Sequence, residues 1–398
     1  MNNSALEAYG KEFKSDNVAK RVLGTKVSPI KEMRIIAQDY NNVISFGQGI
    51  PYPDTPTIIK EKLSKMLIEK DISKYTVSPG LLELREKLSK KLSRLGITAD
   101  QNKEILVTGG AMEGIFCAIM ATVNPDDEVI LFSPGFSSHI EQVRLAGGKP
   151  IFSFLKEKDW GIDIDDFKKK ITKKTKAVIV SNPNNPTGSL YSKKDLIQIA
   201  KLAKENNIII ISDDPYNFLV YEGEYFSIAS IPDMKENIIA CFSFSKEYAM
   251  TGYRIGYAFA TEGMLNQMMK IHDACCICAS SLSQNAAIFA LDSPIGTTDG
   301  IKKALDENRK MIMNGLNGIK GLSYVEPKGA YYIFVKYEKK ADSVSLAIDI
   351  LKKVQVEVVP GSAFGPNGER HIRLAFGCRP EKIKEGLLRL KKYFENVK

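Results

Sequence analysis

The chain has 398 residues, 44% of them hydrophobic and 26% charged, with a formal net charge of +9. That length allows two or three domains with large cores, and the composition excludes a fibrous or disordered chain. No apolar run approaches a membrane span, and the opening MNNSALEAYGKEFKSDNVAK lacks the apolar stretch of a signal peptide, so a cytoplasmic location is expected with no membrane partner.

Residues 1 to 45 carry no core of their own and read as an arm and a helix that join a smaller domain or a partner subunit. From about residue 100, short apolar runs alternate with helix-length segments. The runs are Ile105 to Thr108, Glu128 to Phe132, Ala177 to Ser181, Ile208 to Ser212, Ile238 to Ser243 and Ile255 to Ala260. Helices are expected between them, as at Met112 to Val123 and Lys193 to Glu205. This alternation predicts an α/β domain with a mostly parallel sheet covered on both faces, whose ligands bind at the carboxyl ends of the strands.

Each strand end carries something unusual. GGAMEG at 109–114 follows the first run, and small residues opening a helix leave backbone N–H groups free to bind an anion. There is no GxxxxGK[ST] and no well-placed GxGxxG, so ATP and dinucleotides are not the expected anion. SPGF after the second run brings the ring of Phe136 to the rim, for core packing or for stacking on a ligand. The basic run KKKITKK at 168–174 reads as a solvated helix end. No aromatic residue interleaves with it, and positive charge is otherwise spread along the chain, so no nucleic-acid partner is expected.

SNPNNPTG at 181–188 is a strand-to-helix turn in its plainest reading. Its two Asn-Pro steps bias Asn182 and Asn185 away from helical angles, which suggests that an amide is being aimed at something. IIIISDDPYNF then ends an apolar strand in Asp213 and Asp214, carboxylates that need partners if buried. In SFSKEYAMTGYRIGY, Lys246 follows an apolar strand among Ser243, Ser245 and Arg254. Burial destabilises an ammonium and makes the amine a nucleophile and base, while hydroxyls and a guanidinium suit a phosphate. A plain surface lysine would not explain why these groups all follow one strand.

Helices near 262–292 and 298–319 come next. Cys275, Cys276 and Cys278 with His272 contain a CxxC spacing, but zinc would need a second ligand pair at a usual spacing, so no metal is expected and these read as small buried residues. PKGAYYIFVKY, a short strand at Val356 to Val359 and a helix from Pro380 complete a smaller α+β domain. With three histidines and no HExxH or Gly-x-Ser-x-Gly, a hydrolase has little support.

NPNNPTG, SDDPY and SFSKEYAMTGYR, in this order and spacing, resemble the class I and II aminotransferases, which are fold-type I pyridoxal 5'-phosphate enzymes. ISFGQGIPYPDTP, KYTVSPGLLELREKL, GGAME and HIRLAFG extend the resemblance over nearly the whole chain. It implies an N-terminal arm and part of the small domain at 1–48, a large cofactor-binding domain at 49–293 with a mostly parallel seven-stranded sheet, and a small C-terminal domain at 294–398. It makes Lys246 the residue that holds the cofactor as a Schiff base, Asp213 the partner of the pyridine nitrogen, and Tyr216 and Asn185 donors to the ring's phenolic oxygen. Phe136 would stack on the ring. The phosphate would lie on the turn of Gly110, Ala111 and Met112, beside Ser243, Ser245 and Arg254. Tyr75 matches a tyrosine that reaches the neighbouring subunit's phosphate, which implies a homodimer with shared sites. Arg373 would clamp the substrate α-carboxylate, with Asn185 and the backbone of Gly49 close by.

The implied reaction moves an amino group from an L-amino acid to a 2-oxo acid by a ping-pong mechanism. Aspartate or an aromatic amino acid is the expected donor and 2-oxoglutarate the expected acceptor. Lyases of the same fold use the same cofactor residues, and some transcription regulators carry such a domain as a sensor, so both stand as alternatives. Ile50, Tyr52 and the stretch from Cys275 to Ser281 are candidates to line the side-chain pocket.

Overall fold

A computed structural model describes residues 17–25 and 27–396. The expected N-terminal arm is therefore described only from residue 17; its earlier part lies outside the described residues. Near the start, a short strand β1 (Ile44–Ser45) follows a helix over Pro29–Ala37. The large sheet is then built from β2 (Ile105–Thr108), β3 (Glu128–Ser133), β4 (Lys149–Lys156), β5 (Gly161–Ile162), β6 (Thr175–Ser181), β7 (Ile209–Asp213), β8 (Ile238–Ser243) and β9 (Gly256–Phe259). Its spatial order is β2-β9-β8-β7-β6-β3-β4-β5.

Strands β8, β7, β6, β3 and β4 pair in parallel, and β9 runs against both β8 and β2. The expected seven strands are present, and the sheet gains an eighth, the two-residue β5, antiparallel to β4. Strands β6 to β9 are buried almost end to end, as apolar runs covered on both faces should be. Strand β4, KPIFSFLK, escaped the sequence reading because much of it is half-exposed and it carries lysine at both ends.

Helices cover the sheet, and their starts are written in the sequence. Ser192 Oγ accepts the Asp195 N–H at 3.0 Å and caps the helix Lys193–Glu205, the span predicted. The helix expected over 262–292 is two helices, Glu262–Cys276 and Ser281–Leu291, parted where Ile277 takes a φ of 65°. That break leaves Cys275 and Cys276 exposed and Cys278 partly so, which corrects the expectation that all three are buried. Among the described residues, no helix is long and apolar enough to cross a membrane.

The C-terminal part adds β10 (Leu322–Tyr324), β11 (Tyr332–Tyr337), β12 (Val356–Glu357), β13 (Val359–Pro360) and β14 (His371–Ala375). Four of these form an antiparallel sheet, β10-β11-β14-β13, while β12 pairs in parallel with β1. The single strand expected over Val356 to Val359 is thus two short pieces in different sheets. Met33, Ile36, Ile44 and Phe46 pack into the core of this smaller sheet with Leu346, Ile372 and Leu390, so the chain's two ends build it together.

Candidate active site

The parallel strands bring their carboxyl ends to one rim, and the antiparallel β9 begins there. Pairing of Gly256 with both Ser243 and Thr108 sets Arg254, two residues before β9 starts, beside the ends of β8 and β2. A cavity of about 350 Å³ opens at this rim. It is lined by Lys246, Asp213, Tyr216, Asn185 and Phe136 from the large sheet's loops, and by Arg373 from β14. Residues up to 237 positions apart (373 minus 136) are thereby gathered around one space.

Lys246 Nζ donates to the Gly49 carbonyl at 2.6 Å, a bond that Tyr331 Oη shares at 2.7 Å. Burial pulls the lysine down to about 8, and the Arg254 and Arg373 guanidiniums press in the same direction against the opposing pull of Asp213. Its amine is therefore far more available as a neutral nucleophile than a surface lysine's. Asp213 ends β7 with its Oδ2 3.1 Å from His139 Nε2 and 3.4 Å from Ser181 Oγ, so the buried carboxylate has the partners its burial requires. The adjacent Asp214 is turned to Ser212 instead, and burial raises its carboxyl to about 7. Tyr216 Oη lies 2.7 Å from Tyr332 Oη; burial first, then Tyr332, holds its phenol well above the ordinary value, so it keeps a hydrogen to donate.

Arg373 is 1% exposed, yet its guanidinium has few protein partners. Nη1 donates to Asn185 Oδ1 at 3.0 Å, Nη2 donates to the Gly47 carbonyl, and the buried Nε has no partner among the described residues. The plane lies over the Tyr332 ring, 4.5 Å from its centroid. The Asn185 amide flanked by the Asn-Pro steps is thus aimed at Arg373, and both steps are cis. The Asn185 oxygen is committed to Arg373, so only its NH₂ remains for a ligand acceptor.

At the other end of the cavity, the helix Ala111–Thr122 starts from Gly110 at φ 93°. A Cβ on Gly110 would sit 2.7 Å from Arg254 Nη2, so glycine is what lets the guanidinium lie against the helix N-terminus. Arg254 is held there by the carbonyls of Gly109 and Thr251, each at 3.1 Å. Ala111, Met112, Ser243 and Ser245 complete this lining, a set of donors suited to an anion.

The family model for "Aminotransferase class I and II" matches residues 41–390. The chain belongs to the class I and II aminotransferases. Among relatives, an aspartate aminotransferase of Pyrococcus abyssi is 37% identical, the match covering 93% of this chain and 96% of that one. An aromatic-amino-acid aminotransferase of Thermococcus litoralis is 35% identical over the same shares. The solved aspartate aminotransferase of Thermus thermophilus with maleate superimposes with a TM-score of 0.90 at 31% identity, covering 95% of this chain and all of that one. Enzymes of this family are in general dependent on pyridoxal phosphate and act on amino acids and 2-oxo acids.

Most of the residues predicted from sequence meet in this aminotransferase's cavity, Gly49 among them. Gly110 stands just behind the lining. Tyr75 is not brought to the site within one chain, where it is 78% exposed. Of the side-chain pocket candidates, Ile50 lines the cavity, and Tyr52 and the stretch 275–281 lie outside its lining. Sequence reasoning missed His139, Tyr331, Tyr332 and the carbonyl of Gly47. The adjacent tyrosines in PKGAYYIFVKY were the available signal: one reaches Gly49, the other supports Arg373. His139, one helical turn past Phe136, had no signal, because its partner Asp213 is 74 residues away.

Proposed function

We propose that this aminotransferase holds pyridoxal phosphate through Lys246 and moves an amino group from aspartate or an aromatic amino acid to 2-oxoglutarate in two half-reactions. The residues present fit the cofactor. Its aldehyde needs an amine whose neutral form is within reach near physiological pH, which Lys246, pulled down to about 8, offers. Its phosphate suits Arg254, Ser243, Ser245 and the open turn at Gly110. Its ring nitrogen suits Asp213, and its phenolic oxygen suits Tyr216 Oη and the Asn185 NH₂. When bound, the cofactor supplies an aldehyde and a cationic ring that accepts electrons from the substrate's α-carbon.

The chain's own residues supply the rest. Arg373 binds the α-carboxylate with a preset guanidinium, and Asn185 fixes the angle of that plane. Lys246, which lines the same cavity, takes the proton from the substrate Cα. Phe136 packs edge-on against His139, with ring centroids 5.4 Å apart, and so presents a fixed apolar face to the cavity. The exposed Tyr75 fits a homodimer in which it reaches the partner's phosphate site.

The single observation that carries this reading is the joint placement of a depressed lysine, a paired carboxylate and a preset buried guanidinium around one cavity. The test adds single amino acids, without any oxo acid, to the purified cofactor-loaded enzyme. About one equivalent of 2-oxo acid per site is expected, then nothing more until 2-oxoglutarate is added and a second amino acid appears. Continuous product formation from the amino acid alone would make the enzyme a lyase.

A further inference from the structure

We propose that Glu113, His272 and Cys276 form a zinc site outside the active-site cavity. Glu113 lies in the first turn of Ala111–Thr122, and His272 and Cys276 stand one turn apart on the same face of Glu262–Cys276. Their ligand atoms converge. Glu113 Oε1 is 2.6 Å from His272 Nδ1 and 3.2 Å from Cys276 Sγ, and that sulfur is 3.5 Å from the same imidazole nitrogen. All three atoms lie within 4.8 Å of one another.

The pattern separates a metal site from the other use of such a trio, an activated cysteine. In a nucleophilic relay, thiol and carboxylate engage opposite nitrogens of the imidazole. Here both address Nδ1, while Nε2 lies 3.1 Å from the Ser78 carbonyl. A hydrogen donated to that carbonyl fixes the tautomer and directs Nδ1 toward the carboxylate and the sulfur, as the outer contacts of metal-binding histidines do.

His272 is fully buried, so its orientation is set by packing. Without metal, the Cys276 thiol donates to Glu113 Oε1. Zinc would displace the thiol proton and bind the thiolate, the Glu113 carboxylate and the imidazole Nδ1.

Tetrahedral zinc, with bonds of about 2.0–2.1 Å to N or O and about 2.3 Å to S, sets ligand atoms about 3.3–3.6 Å apart. The sulfur's two contacts are already close to that, and the His272–Glu113 contact has to open by less than about 1 Å. Cys276 is exposed, so metal can enter and water can take the fourth position. The sequence spacing could not show this site, because Glu113 comes from 159 residues before His272. Its second oxygen, Oε2, accepts the Gly109 N–H, which places the metal one hydrogen bond from the turn that opens this helix.

The test is equilibrium dialysis of untagged, cofactor-loaded enzyme against zinc, with cobalt as a spectroscopic substitute. About one zinc per chain, bound in or below the micromolar range and with release of the thiol proton, is expected. Cobalt should show a thiolate charge-transfer band. Cys276→Ala, at an exposed position that leaves the core intact, should weaken binding at least about 100-fold and remove that band. Cys275→Ser should change neither. Substoichiometric zinc in the wild type, binding unchanged by Cys276→Ala, or loss caused by Cys275→Ser would each overturn the assignment.

Discussion

Replacing Lys246 with methionine should stabilise the cofactor-free protein. Lysine has an ordinary value of 10.5, and in this fold it is pulled down to about 8, first by burial and then by Arg254 and Arg373. Below the folded value both states carry the proton, and the folded state bears the full cost of a buried ammonium. Between the folded and unfolded values only the unfolded chain binds the proton, so stability rises with pH until the cost is gone. A shift of this size corresponds to about 3 kcal/mol at neutral pH. Methionine has a similar volume and no charge. It gives up the hydrogen bond to Gly49, worth about 1 kcal/mol, but Tyr331 Oη still donates to that carbonyl. The net expectation is a gain of about 2–3 kcal/mol at pH 7 that shrinks steadily above pH 8 and is gone by about pH 10.5. Urea unfolding of both cofactor-free proteins from pH 7 to 9.5 reads this difference directly, since all other titrating groups cancel. A variant no more stable than wild type at pH 7, or a gain that does not decline with pH, would refute the claim that Lys246 is held against its charge.

Arg373→Lys replaces a planar two-point donor with a point charge, so kcat/KM should fall about 10- to 100-fold for all donors and acceptors alike, chiefly through KM; steady-state kinetics confined to one affected substrate would make Arg373 a side-chain contact instead. Gly110→Ala puts a Cβ 2.7 Å from Arg254 Nη2 at a φ of 93° and should weaken retention of the cofactor about 10-fold or more, measured by dialysis and absorbance. Asp213→Asn removes the negative charge proposed to pair with the ring nitrogen and should lower kcat by about 10²–10³ with little change in the secondary structure seen by circular dichroism. Wild-type-like turnover in that variant would take the ring-pairing role from Asp213.

What the sequence disclosed was what lay close together along the chain. Lys246 was legible because an apolar strand runs straight into it, and a lysine at the end of a buried strand has no ordinary reason to be there. Asn185 was legible because two prolines constrain the backbone around it. The groups that hold these residues in register come from elsewhere. His139 and Asp213 meet only because β3 and β7 lie in one sheet, separated by β6, and Tyr332 supports Arg373 because β11 and β14 are neighbours. Neither pairing leaves a mark at short range. Strand β4 was obscured by its half-exposed pattern, and the cysteines near 276 were misjudged because composition reported their size but not the helix end that exposes them. Glu113 looked like one more residue of a glycine-rich turn until the second helix was laid beside it.

The charges in the cavity suit two separate anions. Lys31, Lys246, Arg254 and Arg373 line a space that includes one carboxylate, Asp213. Four cations against one acid is a poor arrangement for an empty pocket and a favourable one for a ligand pair that brings a phosphate to one end and a carboxylate to the other. Both guanidiniums depress the lysine, so an anion docked on either relieves part of that pressure. The amine would therefore regain basicity in two steps, the first when a phosphate meets Arg254 and the second when an α-carboxylate meets Arg373. A ligand with no carboxylate forfeits the clamp and leaves the base weaker as well. In the proposed reaction, recognition at Arg373 and proton abstraction at Lys246 would in this way be coupled through charge alone.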